Sequence, residues 1–296
     1  MLDVTFCINN VCNFRCEYCH WNKYKSYSFK DCKKTILNIF KLAKKKNEKE
    51  IWMYIHGGEA SIHHYFYDLI KFIWETSKIF GLKLTFEIQT NLSMKKEVYE
   101  NVNKYVDFWS VSFHYTELIR TKTMKRYLEN LEIVKDKLYN LDIMLENVEN
   151  IKKFHNFIIN NILRYAEYAK YSEMIYNYAR YSLPEGVRKQ NEDFYNLYSK
   201  TKRQYKDGST NDQFLNGKSF TGKNCSAGFK NLYFLGDGSF FRCANPLTEF
   251  LLDKEDSKKC LNINYNFDDV LQYTNSIRKC TFEKCDCGDF YIEKYY

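Results

Sequence analysis

Three closely spaced cysteines are the residues of this sequence best suited to chemistry. Cys12, Cys16 and Cys19 have the spacing C-x3-C-x2-C and directly follow an apolar run, Leu2 to Ile8, that predicts the first strand. Three thiolates from one short loop can hold three irons of a cubane iron–sulfur cluster. The fourth iron then has no protein ligand, so it can bind a substrate or cofactor directly. The spacing therefore predicts a reactive metal centre on this cysteine loop (residues 12–19).

Two other metal-binding patterns overlap the cysteine loop. Cys16 to His20 reads C-x-x-C-H, the pattern of c-type haem attachment. Haem would leave Cys12 without a role and would require export, for which the amino terminus carries no signal. A structural zinc ion held by the three cysteines and His20 is the other alternative, and it stays open here.

A second motif, Gly57-Gly58-Glu59, follows the next predicted strand, Ile51–His56. Alone it is weak, because paired glycines commonly form a turn that needs positive φ. Together with the cysteine loop it resembles the signature of radical S-adenosylmethionine (SAM) enzymes. The resemblance implies a [4Fe–4S] cluster bound by Cys12, Cys16 and Cys19, with SAM chelating the fourth iron.

The resemblance also implies a reaction and a set of SAM contacts. Reductive cleavage of SAM would give methionine and a 5′-deoxyadenosyl radical that abstracts hydrogen from a substrate. Tyr18 would pack near the adenine, and Gly57 and Gly58 would let the backbone approach the SAM amino group. Glu59 would order the loop, and Ala60 stands where the family often has proline.

Polar residues also end the third and fourth predicted strands. Gln89-Thr90-Asn91 resembles the Gln-Thr-Asn-Gly stretch of some peptide-modifying radical SAM enzymes. Ser112 lies where relatives often place a serine that contacts SAM, and His114 replaces an acid of those relatives. From the resemblance we expect Asn91 and Ser112 to bind the cofactor and Gln89 and His114 to be catalytic. Because histidine as a residue type titrates near neutral pH, His114 is a candidate general base, and a structural role is its alternative.

Short apolar runs and longer amphipathic stretches alternate from residue 1 to about 180. The predicted strands are Leu2–Asn9, Ile51–His56, Lys83–Gln89, Val106–His114, Leu141–Glu146 and Glu173–Tyr178, with helices near 29–47, 61–80, 93–105, 123–140 and 149–170. The alternation predicts right-handed βαβ crossovers and a parallel sheet. Six such units are too few for a closed eight-stranded barrel, and they match the α/β partial (β/α)6 barrel that the resemblance implies. The motifs would share one rim, at the carboxyl ends of the strands.

The carboxyl-terminal part differs in composition. We expect a barrel at 1–182, a connecting segment at 183–224 and a small cysteine-rich domain at 225–296. Two β-like runs, Leu232–Leu235 and Ser239–Arg242, flank Gly236-Asp237-Gly238 and predict a hairpin.

The cysteines of this tail resemble the auxiliary-cluster domains called SPASM and twitch. Cys225-x12-Gly238-x4-Cys243 matches the opening of such domains, whereas the later run departs from the longer SPASM pattern. The resemblance therefore implies one auxiliary [4Fe–4S] cluster rather than two. Its candidate ligands are Cys225, Cys243, Cys280, Cys285 and Cys287. A structural zinc site is the alternative, and Cys260 is left without a role.

Composition narrows the possible partners and location. The net charge of +8 arises from positive residues scattered over predicted helix surfaces, so we expect no nucleic-acid partner. No secretory signal and no long apolar segment is visible, so we expect no membrane association. Eleven cysteines without an export signal indicate reduced thiols in a cytoplasm.

The resemblance to radical SAM enzymes implies an oxidoreductase or maturase. The SPASM resemblance suggests a peptide or protein side chain as substrate, although a chain that begins at strand one leaves no room for an amino-terminal leader-binding domain. A dehydrogenase or rearrangement enzyme acting on a sugar or other small metabolite is the alternative. Reductive chemistry implies an electron donor such as flavodoxin or ferredoxin. Outside enzymes, a zinc-stabilised binding protein or a two-cluster electron-transfer protein would also fit the cysteines.

Overall fold

A computed structural model describes most of the first 175 residues and several later stretches. The described residues are 1–17, 19, 25–146, 148–175, 186, 189–191, 193–194, 224–243 and 261–279. The chain forms two compact units. The first unit comprises Met1–Val11, His20–Phe86 and Arg203–Tyr296, and the second comprises Cys12–Cys19 and Glu87–Lys202.

Strands and helices alternate along the first part of the chain, as predicted. The strands are β1 (Leu2–Asn9), β2 (Glu50–Gly57), β3 (Lys83–Thr90), β4 (Phe108–Phe113), β5 (Leu138–Met144), β6 (Tyr171–Ile175), β7 (Asn224–Cys225), β8 (Asn231–Leu235), β9 (Ser239–Phe241), β10 (Leu261–Asn262) and β11 (Arg278–Lys279). The helices are α1 (Phe29–Lys45), α2 (Phe66–Ile79), α3 (Lys96–Asn103), α4 (Tyr115–Arg120), α5 (Met124–Val134), α6 (Ile151–Phe157) and α7 (Phe267–Tyr273).

In the first unit, β1 is an interior strand. It pairs in parallel with β2 on one side and with β8 on the other. The predicted hairpin is confirmed as β8 and β9, which pair antiparallel, and β10 adds to β9. The sequence did not indicate that this hairpin joins the sheet of the amino-terminal strands. The compact units therefore divide the chain differently from the predicted boundaries at residues 182 and 224, and an auxiliary domain at 225–296 stays a prediction.

In the second unit, the Glu87–Thr90 part of β3 pairs in parallel with β4, β4 with β5, and β5 with β6. Trp109 and Phe113 of β4 are fully buried against the helices, with ring centroids 5.8 Å from Tyr99 and 5.4 Å from Tyr127. Because successive side chains of a strand point to opposite faces, the serines between these aromatic residues lie on the other face. These parallel strands confirm the predicted α/β class and fit an open, partial barrel.

Several helix bounds differ from the predictions because polar side chains have local partners. Ser28 caps α1, since its side chain accepts a hydrogen bond from the Asp31 amide. The helix predicted at 93–105 starts only at Lys96, because the Ser93 hydroxyl bonds to Asn91 and does not cap a helix. The helix predicted at 61–80 begins at Phe66, after a short 3₁₀ turn at Ala60–Ile62.

The predicted helices at 123–140 and 149–170 are shorter than expected. The first ends at Val134, and β5 begins at Leu138, where pairing with β4 takes over. The second leaves the α-helical conformation after Phe157 and continues as π and 3₁₀ turns. Within the described residues, no helix combines the length and apolar composition that crossing a membrane requires.

Candidate metal and cofactor site

The cysteine loop is a compact turn of the second unit. Its three cysteines are partly exposed, and the described cysteines form no disulfides with one another. The Cys19 amide donates to the Cys16 carbonyl (3.0 Å), which closes a turn between these two residues. Between the first two cysteines, Phe14 is buried and its amide donates to Cys12 Sγ (3.4 Å). The buried ring anchors the loop while the thiols stay accessible.

Polar residues that follow β3 hold one side of the cysteine loop. Asn91 Nδ2 donates to Asn13 Oδ1 (3.1 Å), and Asn13 Nδ2 donates to Ser93 Oγ (2.7 Å). Ser93 closes the ring by donating its hydroxyl to Asn91 Oδ1 (2.5 Å). Asn91 and Ser93 are both buried. Asn91 therefore helps to fix the position of the cysteine loop, and its predicted role in cofactor binding stays a prediction.

A buried carboxylate on α4 holds the other side of the loop. Glu117 is only 5% exposed, and its Oε2 accepts a hydrogen bond from the Arg15 amide (2.6 Å). Arg120 binds the same carboxylate through Nε (2.8 Å) and Nη2 (2.6 Å). Such bidentate charge-assisted bonds are short and directional. The carboxylate thus holds the backbone between Cys12 and Cys16.

Sequence reasoning missed these loop-holding residues. Glu117 and Arg120 are spaced i,i+3 on a helix, which is the pattern of an ordinary surface ion pair. Nothing local indicated that Glu117 reaches an amide 102 positions away. Asn13 lies inside the cysteine loop, and this position could have marked it as a residue that holds the loop.

His114 lies directly against a predicted cluster ligand. Its Nδ1 is 3.7 Å from Cys16 Sγ, and its ring meets Phe14 edge-on, with centroids 5.8 Å apart. Ser112 and Gln89 lie on β4 and β3, and Ser112 is buried while Gln89 is partly exposed. Their predicted roles in SAM binding and catalysis stay predictions. Tyr18 lies outside the described residues.

In the first unit, glycine is required at positions 57 and 58 because the backbone of Asn9 to Val11 approaches closely there. A Cβ on Gly57 would lie 2.2 Å from the Asn9 carbonyl oxygen, and a Cβ on Gly58 would lie 2.5 Å from that of Val11. Neither glycine has a positive φ, so the turn conformation considered from the sequence is not the reason for them. The Gly58 amide donates to the Asn9 carbonyl (2.9 Å). Their proposed access to SAM stays a prediction.

Glu59 orders its own turn. Its carboxylate is buried and accepts hydrogen bonds from the amide (3.0 Å) and hydroxyl (2.5 Å) of Ser61. The Glu59 amide donates to the Val11 carbonyl (2.9 Å), and Asn9 Nδ2 donates to the Glu59 carbonyl (3.1 Å). These bonds fasten the residue that precedes Cys12 to the Gly-Gly-Glu turn.

Two of the predicted auxiliary ligands are described. Cys225 lies on β7, where it pairs with Arg278 of β11, and Cys243 is buried just after β9. Burial lowers the pKa of the Arg242 guanidinium, but the nearby Tyr273, Cys243 and Cys225 side chains raise it above its ordinary value. Cys280, Cys285 and Cys287 lie outside the described residues, as does Cys260.

The donor set of the cysteine loop is three partly exposed thiols, which are the ligands that an iron–sulfur cubane takes. Among the described residues, no three His, Cys, Asp or Glu side chains converge as a single metal ion requires. A cubane takes each thiolate on a separate iron, so its ligands do not meet at one point. Three partly exposed thiols on a pinned loop suit that arrangement. His20, the fourth ligand of the zinc alternative, lies outside the described residues.

Several proteins of known structure have a similar fold, and their structures align with most of this chain. anSMEcpe with bound AdoMet shares 15% identity over 93% of this chain and 80% of its own, with a TM-score of 0.59. Streptococcus suis SuiB bound to the precursor peptide SuiA shares 13% identity over 93% of this chain, with a TM-score of 0.56. The present chain spans 64% of the length of SuiB. At these identities the likeness shows the fold alone.

Sequence comparison establishes the family. No curated protein sequence matches the chain. The model of the Radical SAM superfamily matches residues 6–158, which contain the cysteine loop, the Gly-Gly-Glu turn and the strand ends described above. Enzymatic chemistry with SAM and a [4Fe–4S] cluster follows from membership of that family. This chain belongs to the radical SAM superfamily.

Proposed function

We propose that Cys12, Cys16 and Cys19 bind a [4Fe–4S] cluster at which the chain reductively cleaves SAM. When bound, the cluster and SAM supply the 5′-deoxyadenosyl radical that abstracts hydrogen from a substrate. The observation that carries the proposal is that two residues hold the cysteine loop in place: Asn91, just after β3, and Glu117, on α4. This arrangement holds the backbone of a three-thiol loop while its thiols stay partly exposed. A flavodoxin- or ferredoxin-like donor would supply the electron.

Anaerobic reconstitution tests this proposal. The parent chain should bind iron and sulfide and, with a strong reductant, form 5′-deoxyadenosine from SAM. Cys16→Ala should abolish this cleavage, because one iron loses its protein ligand, and Cys12→Ala and Cys19→Ala should behave alike. Cys32→Ala is the matched control, since this thiol is fully buried on α1 and should not affect cleavage. A parent chain that holds zinc and little iron would instead support the zinc-stabilised binding protein.

We propose further that the substrate is a peptide or protein side chain. Support comes from two structures of similar fold whose crystals contain peptides: SuiB with its precursor peptide SuiA, and anSMEcpe with the Cp18Cys peptide. The test is to follow deuterium from labelled substrate pools into 5′-deoxyadenosine. Transfer from peptides and not from sugars or other small metabolites is the expected result. Transfer from sugars alone would support the small-metabolite alternative.

We also propose an auxiliary [4Fe–4S] cluster in the SPASM- or twitch-like tail, held by four of Cys225, Cys243, Cys280, Cys285 and Cys287. Two observations support it. Cys225 and Cys243 both lie near the Arg242 guanidinium, and the strand paired with Cys225 ends at Lys279, immediately before Cys280 in the sequence.

Cys243→Ala should lower the total iron of the reconstituted protein and leave SAM binding at the first cluster intact. The reason is that the auxiliary cluster would lose a thiolate, while the cysteine loop is unchanged. Iron analysis and the electron paramagnetic resonance (EPR) signal of the reduced protein measure both effects. Unchanged iron content would count against the auxiliary cluster, and stoichiometric zinc in the tail would support the zinc alternative.

A further inference from the structure

The imidazole of His114 is held in one place beside Cys16. His114 joins β4 to α4. Its backbone carbonyl accepts a hydrogen bond from the Leu118 amide (3.0 Å), which fixes the backbone at this position. The ring packs edge-on against the buried Phe14 at an interplanar angle of 80°. Nδ1 then lies 3.7 Å from Cys16 Sγ, within the range of hydrogen bonds to sulfur.

Metal binding would determine the direction of this hydrogen bond. A neutral thiol can donate to an imidazole nitrogen or accept from it. A cysteine that ligates iron is a thiolate and has no proton to donate. The contact at 3.7 Å can then persist as a hydrogen bond only if Nδ1 carries the proton.

We propose that His114 donates an Nδ1–H hydrogen bond to Cys16 Sγ in the cluster-bound protein and thereby raises the reduction potential of the cluster. The inference rests on the proposed function, because it requires the [4Fe–4S] cluster on the cysteine loop. Hydrogen bonds to cluster sulfurs draw electron density from the cluster and stabilise its reduced state. In this role His114 adjusts the reduction potential of the cluster through Cys16. This role differs from that of a general base acting on the substrate.

Two substitutions separate the hydrogen bond from the packing of the ring. His114→Phe keeps an aromatic ring against Phe14 but removes the donor. His114→Asn loses the ring but keeps an amide N–H at about the position of Nδ1. His64→Phe is the matched control, since His64 is an exposed histidine that meets Tyr65 edge-on.

The measurement is a redox titration of the anaerobically reconstituted proteins, followed by the EPR signal of the reduced cluster. We expect equal iron content in all variants, a lower midpoint potential for H114F, and potentials near the parent value for H114N and H64F. Should H114F fail to take up the cluster, H114L is a second variant without a donor, for which the same lower potential is expected.

Two results would overturn the inference while the proposed function stands. One is a fully loaded H114F or H114L protein that has the parent potential and still abstracts hydrogen. The other is a fully loaded H114F or H114L protein that has the parent potential but no longer abstracts hydrogen, which would assign His114 a role at the substrate. If the parent chain itself took up no [4Fe–4S] cluster, the proposed function would fail together with this inference.

Discussion

At the scale of single residues, Glu117 is a buried anchor of the predicted metal loop. Its carboxylate is buried, yet it serves both the Arg15 amide and the Arg120 guanidinium. A buried acceptor that serves a backbone amide contributes more to stability than a surface ion pair, because its removal leaves the amide without a partner. The carboxylate therefore links the order of the cysteine loop to the stability of the second unit.

Glu117→Ala should lower the free energy of unfolding by about 1–3 kcal/mol, because the Arg15 amide and Arg120 lose their acceptor. The reconstituted variant should also retain less iron, since the loop between Cys12 and Cys16 is no longer fixed. Urea unfolding and iron analysis measure these effects.

The matched control for this prediction is Glu129→Ala. Glu129 is also paired on a helix, with Lys125 at 3.8 Å, but half of its side chain is exposed. Its removal should change the free energy of unfolding by at most about 1 kcal/mol. Equal effects of the two substitutions would contradict the role given to Glu117.

At the scale of elements, the last turn of α1 is joined to the end of α7. The Lys46 side chain follows α1 and donates to the Thr274 carbonyl, and its Nζ lies 4.7 Å from the centre of the Phe229 ring. Burial, together with the nearby Lys230, lowers the pKa of Lys46 from 10.5 to about 8, although Glu48 acts in the opposite direction. The folded chain therefore releases this proton at lower pH than the unfolded chain does.

The contribution of Lys46 to the free energy of unfolding should rise with pH between about 8 and 10.5. In that window the unfolded state holds the proton that the folded state has lost, so higher pH favours folding, by at most about 1.4 kcal/mol per pH unit. Partial exposure of the side chain makes the slope smaller. Below pH 8 both states are protonated and the contribution is constant.

Lys46→Met should remove this part of the slope, measured by urea unfolding of parent and variant at pH 7, 8, 9 and 10. Lys45→Met is the control, because Lys45 is an exposed neighbour in the last turn of α1. Its free energy of unfolding should depend on pH with the same slope as that of the parent chain. A difference between parent and K46M that stays constant across this range would contradict the lowered pKa.

At the scale of the whole molecule, the first unit is assembled from both ends of the chain. β1 is buried along most of its length, and β2 and β8 pair with its two edges. Asp3 to Cys7 of β1 pair with Asn231 to Leu235 of β8. The hairpin of β8 and β9 is therefore part of the unit that contains β1.

A chain ending at residue 223 should lose the structure of the first unit. Without β8, the apolar strand β1 becomes a sheet edge with unpaired amides and carbonyls, which favours aggregation. Size-exclusion chromatography and circular dichroism of the truncated chain test this. A soluble monomer with undiminished secondary structure would show that the tail is separable. Cys243→Ala in the full-length chain provides the control, because it removes a thiol and keeps β8.

The sequence predicted strands best where the apolar pattern was uninterrupted. The bounds of β1 were predicted correctly, and the hairpin of β8 and β9 followed from the Asp-Gly turn between two apolar runs. Prediction was poorer where a distant partner decides the structure. Leu138 looked like the end of a helix, but it pairs with Trp109 and starts β5. The short helix α4 was missed because a single residue, His114, separates it from β4.

The candidate site shows the same division between local and distant information. The cysteine spacing and the strand-end positions of Asn91 and His114 could be predicted, because they depend on residue type and local order. That Asn91 binds Asn13, that Glu117 reaches the Arg15 amide and that His114 faces Cys16 could not, since each contact joins residues about 80 to 100 positions apart.

The sequence by itself determined the chemistry: three thiolates at one spacing, glycines at one strand end, and alternating strands and helices of a parallel α/β fold. Only the tertiary structure decided which side chains hold the cysteine loop, why Gly57 and Gly58 admit no side chain, and where the carboxyl-terminal hairpin pairs. The physical reason is that residue type and periodicity act over a few neighbouring positions. Pairing of β1 with β8 and the contacts of the loop depend on which distant segments pack together.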